Sequence, residues 1–88
     1  MRARKKYVYV VAGIMDFSAN WDGVHLVVNK KYGAHSSFSG AQAELGKILA
    51  EAMKERDDLG YELKQGSLDI EYSDGTFEEY NIYKMLLN

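Results

Sequence analysis

The sequence predicts an α+β domain in two layers, with one helix packed on one face of an antiparallel sheet of about four strands. Three observations support this class: alternating apolar residues near both ends of the chain, one central segment with helical spacing, and hairpin signals on either side of it. The predicted order is β-β-α-β-β. Because 88 residues provide one modest core, we expect residues 1–88 to form a single domain, with a flexible basic arm at residues 1–6.

The first strand is predicted over residues 7–17, and both of its faces are apolar. One row consists of Val8, Val10, Ala12 and Ile14. The opposite row contains Tyr7, Tyr9, Val11, Met15 and Phe17. We expect the first row to face the helix, which leaves the opposite row uncovered. An uncovered apolar row favours association with a second copy, so a homodimer through these residues is predicted.

A second strand is predicted from Gly23 to Lys31, because apolar and polar residues alternate there as in a half-exposed hairpin partner. The segment from Tyr32 to Gly40 has the composition of a loop. Apolar residues then recur at helical spacing from Ala41 to Met53, which predicts the one helix. Either Ser39, paired with Gln42 in a capping box, or Ser37 is the N-cap, and Leu59-Gly60 is expected to end the helix.

The C-terminal part predicts a hairpin, because Asp74-Gly75 separates two alternating runs. Two registers are open. A two-residue turn pairs Tyr72 with Phe77, whereas a three-residue loop with Gly75 in the left-handed conformation pairs Leu68 with Tyr80. We prefer the second register, since it gathers the apolar residues on one face. A short extended piece is expected at 61–64, and residues 85–87 are expected to dock on the core as an apolar tail.

Charge is distributed unevenly along the chain. Residues 1–56 carry nine basic and five acidic side chains, whereas residues 57–88 carry two basic and eight acidic ones. Tyrosines alternate with these acids, and tyrosine beside carboxylate suits the binding of Arg and Lys. The predicted partner-binding residues are Asp69, Glu71, Tyr72, Asp74, Glu78, Glu79, Tyr80 and Tyr83. A second interpretation is that the acids only protect a sheet edge from aggregation.

Several function classes are disfavoured. The chain has no cysteine, which removes thiolate zinc sites, iron–sulfur clusters and thiol catalysis. The acids do not have the spacing of a calcium loop, and no motif places His25 or His35 beside a nucleophile. We therefore expect that the protein is not an enzyme and that it binds no cofactor and no metal. The absence of cysteine favours a reducing compartment, so a cytoplasmic protein is expected. The longest uncharged apolar run, Tyr7 to Met15, is far too short to span a membrane.

The leading hypothesis is a small non-enzymatic interaction module that docks its acidic, Tyr-rich hairpin on a basic surface of a partner protein. The expected partner is a protein that itself binds nucleic acid. Phage-type inhibitors of defence complexes are often small and acidic, so an anti-CRISPR-like or anti-restriction inhibitor is the concrete expectation, by analogy of size and charge alone.

The alternative hypothesis is a nucleic-acid-binding module. The basic arm would contact phosphates while Tyr7 and Tyr9 stack on bases. The basic residues of the arm are Arg2, Arg4, Lys5 and Lys6. A net charge of −2 opposes this interpretation, since an acidic protein is repelled by phosphate.

Overall fold

A computed structural model of the chain describes residues 6–17 and 27–87. These residues form five strands and one helix. The elements are β1 (Lys6–Asp16), β2 (Val27–His35), α1 (Phe38–Glu55), β3 (Leu59–Lys64), β4 (Ser67–Tyr72) and β5 (Phe77–Leu87). The start of the predicted second strand lies outside the described residues. So does the predicted basic arm, except for Lys6, which begins β1.

The strands form one antiparallel sheet in the order β2-β1-β5-β4-β3, and α1 packs on one of its faces. The α+β class, the antiparallel pairing and the helix on the sheet are confirmed. The predicted strand count was wrong, because the described residues contain five strands and not about four. The additional strand is β3, whose residues were expected only as a short extended piece and which pairs along its whole length with β4.

The core lies between α1 and the near face of the sheet. The helix contributes Ala41, Leu45, Ile48, Leu49 and Ala52. The sheet contributes Val11, Leu68, Ile70, Tyr72 and Tyr80, with Tyr9, Met15, Tyr32, Leu59 and Ile82 packed around them. Burial of these apolar side chains is the main favourable term in the stability of a chain of this size.

The predicted orientation of β1 was wrong. Val11 is completely buried, and Tyr9 and Met15 pack against the core, so the row containing them faces α1. Alternation cannot choose between two apolar rows. The choice follows from pairing with β5, which places Val11 opposite Ile82 and Gly13 opposite Tyr80. The expected self-association row is therefore largely covered by the helix.

Strand β2 extends further than predicted, to His35, through residues that were expected to form a loop. Its pairing with β1 contains an irregularity between Val11 and Ala12, after which Gly33 lies opposite Val11. Tyr32 lies at this irregularity, and its ring packs edge-on against Tyr80 with 5.4 Å between the ring centroids. Pairing with β1 and this aromatic contact override the loop-like composition.

The N-cap of the helix is one of the two predicted residues. Ser37 is the N-cap, and its hydroxyl accepts a hydrogen bond from the Gly40 amide at 3.1 Å. Gln42 does not form a capping box; it accepts from the Gly66 amide and donates to the Lys64 carbonyl, which fastens α1 to the turn between β3 and β4. The helix ends at Glu55 with Arg56 as its C-cap, and Leu59 already begins β3, so the predicted stop at Leu59-Gly60 was wrong. In the described ranges no helix combines the length and apolar character needed to cross a membrane.

The preferred hairpin register is confirmed. Leu68 lies opposite Tyr80 and Ile70 opposite Glu78. Gly75 has a φ of 85°, in the left-handed region that glycine adopts at low cost. The expected docking of the C-terminal tail was wrong, because residues 85–87 are the exposed end of β5.

Candidate interaction surface

The acidic residues of β4 and β5 divide between the two faces of the sheet. Successive side chains of a strand point to opposite faces, so Asp69, Glu71 and Glu79 lie on the far side from α1. Strand β3 adds Glu62, which pairs with Asp69, and Asp69 pairs in turn with Glu79. Three carboxylates thus stand directly opposite one another on three adjacent strands. We call Glu62, Asp69, Glu71 and Glu79 the acidic face.

The acidic face borders a groove of about 420 Å³. Its lining includes all four carboxylates and the half-buried ring of Phe77, which lies opposite Glu71. An aromatic ring beside carboxylates matches the stem and head of a Lys or Arg side chain, which packs through its methylene groups and ends in a cation. The groove can therefore receive long basic side chains.

Charge on the acidic face is poorly compensated. Glu62 pairs with Lys64 at 3.1 Å, and both side chains are exposed. For Asp69, Glu71 and Glu79 the structure records no ion pair with any side chain that it describes. Like charges directly opposite on neighbouring strands destabilise a sheet. A cation brought by a partner would relieve this repulsion.

Three residues predicted to contact a partner lie on the helix side. Tyr72 and Tyr80 are buried, and both of their hydroxyls donate hydrogen bonds to the Glu78 carboxylate, which is 5% exposed. Lys30 approaches the same carboxylate at 3.6 Å. Burial, followed by the hydrogen bond to Glu78, raises the pKa of Tyr80 and that of Tyr72 well above the ordinary range. These side chains belong to the core and are not accessible.

Asp74 is also engaged within the chain. Its carboxylate accepts from the Thr76 amide at 2.9 Å and faces Arg56 at 3.3 Å. Arg56 also binds Asp58 at 2.5 Å and lies over the ring of Tyr72. Hydrogen bonds from Thr76 and the nearby Arg56 lower the pKa of Asp74. The network fixes the hairpin turn against the end of α1.

Of the eight residues predicted to bind a partner, four are accessible and have no ion pair or side-chain hydrogen bond within residues 6–17 and 27–87: Asp69, Glu71, Glu79 and Tyr83. Tyr83 is exposed on the same side of the sheet as Glu79. Sequence reasoning missed Glu62 and Phe77. The available signal was the alternation in the 59–64 segment, where Leu59, Tyr61 and Leu63 share one face and leave Glu62 on the other.

The rings of the two tyrosines proposed to stack on nucleic-acid bases already contact other side chains of the protein. The ring of Tyr9 packs edge-on against Phe38, and Lys84 lies over the ring of Tyr7 at 4.2 Å. Arg2, Arg4 and Lys5 lie outside the described residues, as does His25. His35 pairs with Glu44 at 3.3 Å, and the described residues contain no group of three side chains placed to hold a metal ion.

Comparison of the chain with models of protein families, with curated proteins and with solved structures gives no match. The function proposed for the protein therefore rests on the geometry of the acidic face.

Proposed function

We propose that the protein is a non-enzymatic interaction module whose acidic face binds a basic surface of a partner protein. The observation that carries this proposal is the row formed by Glu62, Asp69 and Glu79, which stand directly opposite one another on β3, β4 and β5. The packing of the core does not compensate for the repulsion between the carboxylates of this row. Binding of a basic partner converts that repulsion into attraction and steers the encounter at low salt.

The row of carboxylates favours a partner that normally binds nucleic acid. Its three carboxylates lie on neighbouring strands, which are about 4.8 Å apart. A surface that binds the phosphates of a nucleic acid carries several cations close together. Such a surface can contact the acidic face with several of its cations at once. An inhibitor of a defence complex, anti-CRISPR-like or anti-restriction, is the concrete form of this proposal, by analogy of size and charge.

The test uses two triple variants with the same change in net charge. The test variant carries Asp69→Asn, Glu71→Gln and Glu79→Gln on the acidic face. The control variant carries Glu51→Gln, Glu55→Gln and Asp57→Asn, three exposed acids in or just after α1. Binding of a labelled arginine-rich peptide is measured by fluorescence anisotropy at low and moderate salt.

We expect the test variant to bind roughly tenfold more weakly than the wild type, since exposed ion pairs contribute about 0.2–1 kcal/mol each. The control variant should bind like the wild type at equal salt. Equal loss in both variants would mean that only bulk charge matters and would contradict a defined site.

A second experiment addresses the inhibitor form of the proposal. Proteins from the natural host are captured on the wild-type protein and on both triple variants, and duplex DNA is then added. A partner whose nucleic-acid site is occupied should be captured by the wild type and the control variant and released by DNA. A captured protein that DNA does not release would contradict competition with nucleic acid.

A further inference from the structure

Strand β3 is the edge of the sheet that borders the acidic face. It pairs with β4 on one side, and no described strand lies on its other side. All of its residues except Leu59 are exposed. An edge with unpaired backbone groups is a template on which an extended segment of another chain can pair.

A backbone hydrogen bond next to β3 fixes which residues present their backbone groups at this edge. The Ser73 amide donates to the Asp58 carbonyl at 2.9 Å, so the backbone groups of Asp58 point toward the β4 side. Because backbone groups alternate in direction along a strand, those of Leu59, Tyr61 and Leu63 point outward. These three residues can therefore form the hydrogen bonds of an added strand.

The two faces of β3 offer different side chains to such a strand. On the helix side, Tyr61 and Leu63 are 55% and 40% exposed. On the far side, Glu62 extends the row of carboxylates that Asp69 and Glu79 form. An added strand thus meets apolar side chains at every second position and the acidic face at the positions between.

Gly60 leaves a gap in β3 on the far side, where it lines the groove. A Cβ atom on Gly60 would have no neighbour within 4 Å, and its φ lies outside the left-handed region, so nothing in the described fold requires glycine there. Glycine weakens a strand and often marks a place where another chain approaches closely. Since Gly60 lies opposite Glu71, a long basic side chain of an added strand can pass over Gly60 to the Glu71 carboxylate.

We propose that a segment of the basic partner adds to the sheet as a further strand, antiparallel to β3, with Lys or Arg at alternate positions and apolar residues between them. This inference rests on the proposed function and specifies the form in which the partner binds. The basic side chains lie on the acidic face, opposite Gly60 and Glu62. The apolar side chains cover Tyr61 and Leu63, and the backbone of the same residues bonds to β3.

Charge complementarity favours this segment over other strands. A strand with acidic residues at the same positions places like charges directly beside Glu62 and is repelled. A second copy whose β3 overlaps this one fully brings its own Glu62 to the same face, where the two carboxylates repel each other. An entirely apolar strand leaves the carboxylates without a cation.

Methylation of peptide amides tests strand addition separately from charge. The probe is a short labelled peptide in which Arg and Val alternate. When its Arg side chains lie on the acidic face, its Val amides point toward β3 and its Arg amides point away. N-methylation of a central Val should weaken binding roughly tenfold, because a hydrogen bond is lost and the methyl group keeps the strands apart. N-methylation of a central Arg is the matched control and should leave the affinity unchanged. Fluorescence anisotropy measures all three peptides.

Gly60→Val tests the path across β3. Valine suits a strand, and its Cβ meets no neighbour there, so the variant should fold like the wild type, which circular dichroism checks. It should bind the alternating peptide roughly fivefold more weakly, since its side chain blocks the way to the Glu71 carboxylate. Gly46→Ala, at a glycine of α1 that also has no neighbour, is the control and should bind like the wild type.

The proposal is overturned if the two methylated peptides bind equally, or if Gly60→Val binds the alternating peptide as tightly as the wild type does. Binding of a peptide in which Glu and Val alternate, with the affinity of the Arg peptide, would also contradict it. The proposed function fails by a different result, namely if the test variant of the acidic face binds the arginine-rich peptide as tightly as the wild type.

Discussion

Gly13 of β1 and Tyr80 of β5 lie opposite each other so closely that the tyrosine ring occupies the place of a side chain. A Cβ atom on Gly13 would lie 2.3 Å from Cδ1 of Tyr80 and 2.2 Å from the Glu79 carbonyl oxygen. Tyr80 is fully buried at this position, so the ring cannot move outward. Tyr80, the largest fully buried side chain, fits at this position because Gly13 has no side chain.

Gly13→Ala should therefore destabilise the fold by about 1–3 kcal/mol, because the backbone of Glu79 and the ring of Tyr80 must both shift. Gly46→Ala is the matched control. Nothing lies within 4 Å of a Cβ on Gly46, which is inside α1, and alanine should stabilise the helix there by about 0.4–1 kcal/mol. Urea unfolding of the two variants measures both effects, and equal stabilities would contradict the close packing at Gly13.

The hydroxyls of Tyr72 and Tyr80 should be energetically coupled to Glu78. In a double-mutant cycle, Tyr80→Phe with Glu78→Gln should show a coupling free energy of about 1–2 kcal/mol, because Tyr80→Phe removes one hydrogen bond to the buried carboxylate and Glu78→Gln removes the negative charge that strengthens it. Tyr83→Phe, at an exposed tyrosine, should leave the stability unchanged. Additive effects in the cycle would mean that the hydroxyls and the carboxylate act independently.

Alkaline pH should unfold the protein partly through Tyr72 and Tyr80. Their pKa values are raised in the folded state, mainly by burial, above the value of about 10 in the unfolded chain. Their contribution to stability is fully present below about pH 10 and is lost as pH rises above it, because the unfolded chain releases the protons first. The melting temperature of the wild type should fall more steeply above pH 10 than that of a variant with both Tyr72→Phe and Tyr80→Phe. Parallel curves would rule out a linked ionisation.

Acid pH should weaken the network around Asp58. Hydrogen bonds from Arg56 and Ser73 hold the pKa of Asp58 well below its ordinary value. A depressed pKa contributes stability above the unfolded value, about 3.9 for Asp, and this contribution is lost as pH falls below it. Asp58→Asn should remove that part of the acid sensitivity, while Asp57→Asn, at an exposed neighbour, should keep it. Melting temperatures between about pH 2 and pH 7 measure the difference.

The sequence predicted the parts of the fold that local chemistry determines. The hairpin register was predicted because one of the two registers that Asp74-Gly75 allows gathers the apolar residues of both strands on one face. The helix was predicted from the spacing of its apolar residues, and Ser37 was one of its two predicted N-caps. The orientation of β1 could not be predicted, because both of its rows are apolar and the choice depends on the distant contact between Gly13 and Tyr80.

The residues of the candidate site were also predicted only in part. The hairpin carries the predicted acids, but Glu78 was included among the accessible ones although the preferred register places it opposite Ile70, on the apolar face. Glu62 joins the site through the pairing of β3 with β4, a tertiary contact that the alternation of residues 59–64 does not specify. The exposed end of β5 was misjudged because apolar residues near a chain end usually indicate docking on the core.

The most direct test of the acidic face is an amide NMR titration of the wild-type protein with the arginine-rich peptide. We expect chemical-shift changes at Glu62, Asp69, Glu71 and Glu79 and around Phe77, with the amides of Glu51 and Glu55 in α1 unchanged. Shifts that concentrate in α1, or that spread evenly over all exposed acids, would contradict the claim that this face of the sheet is the binding site.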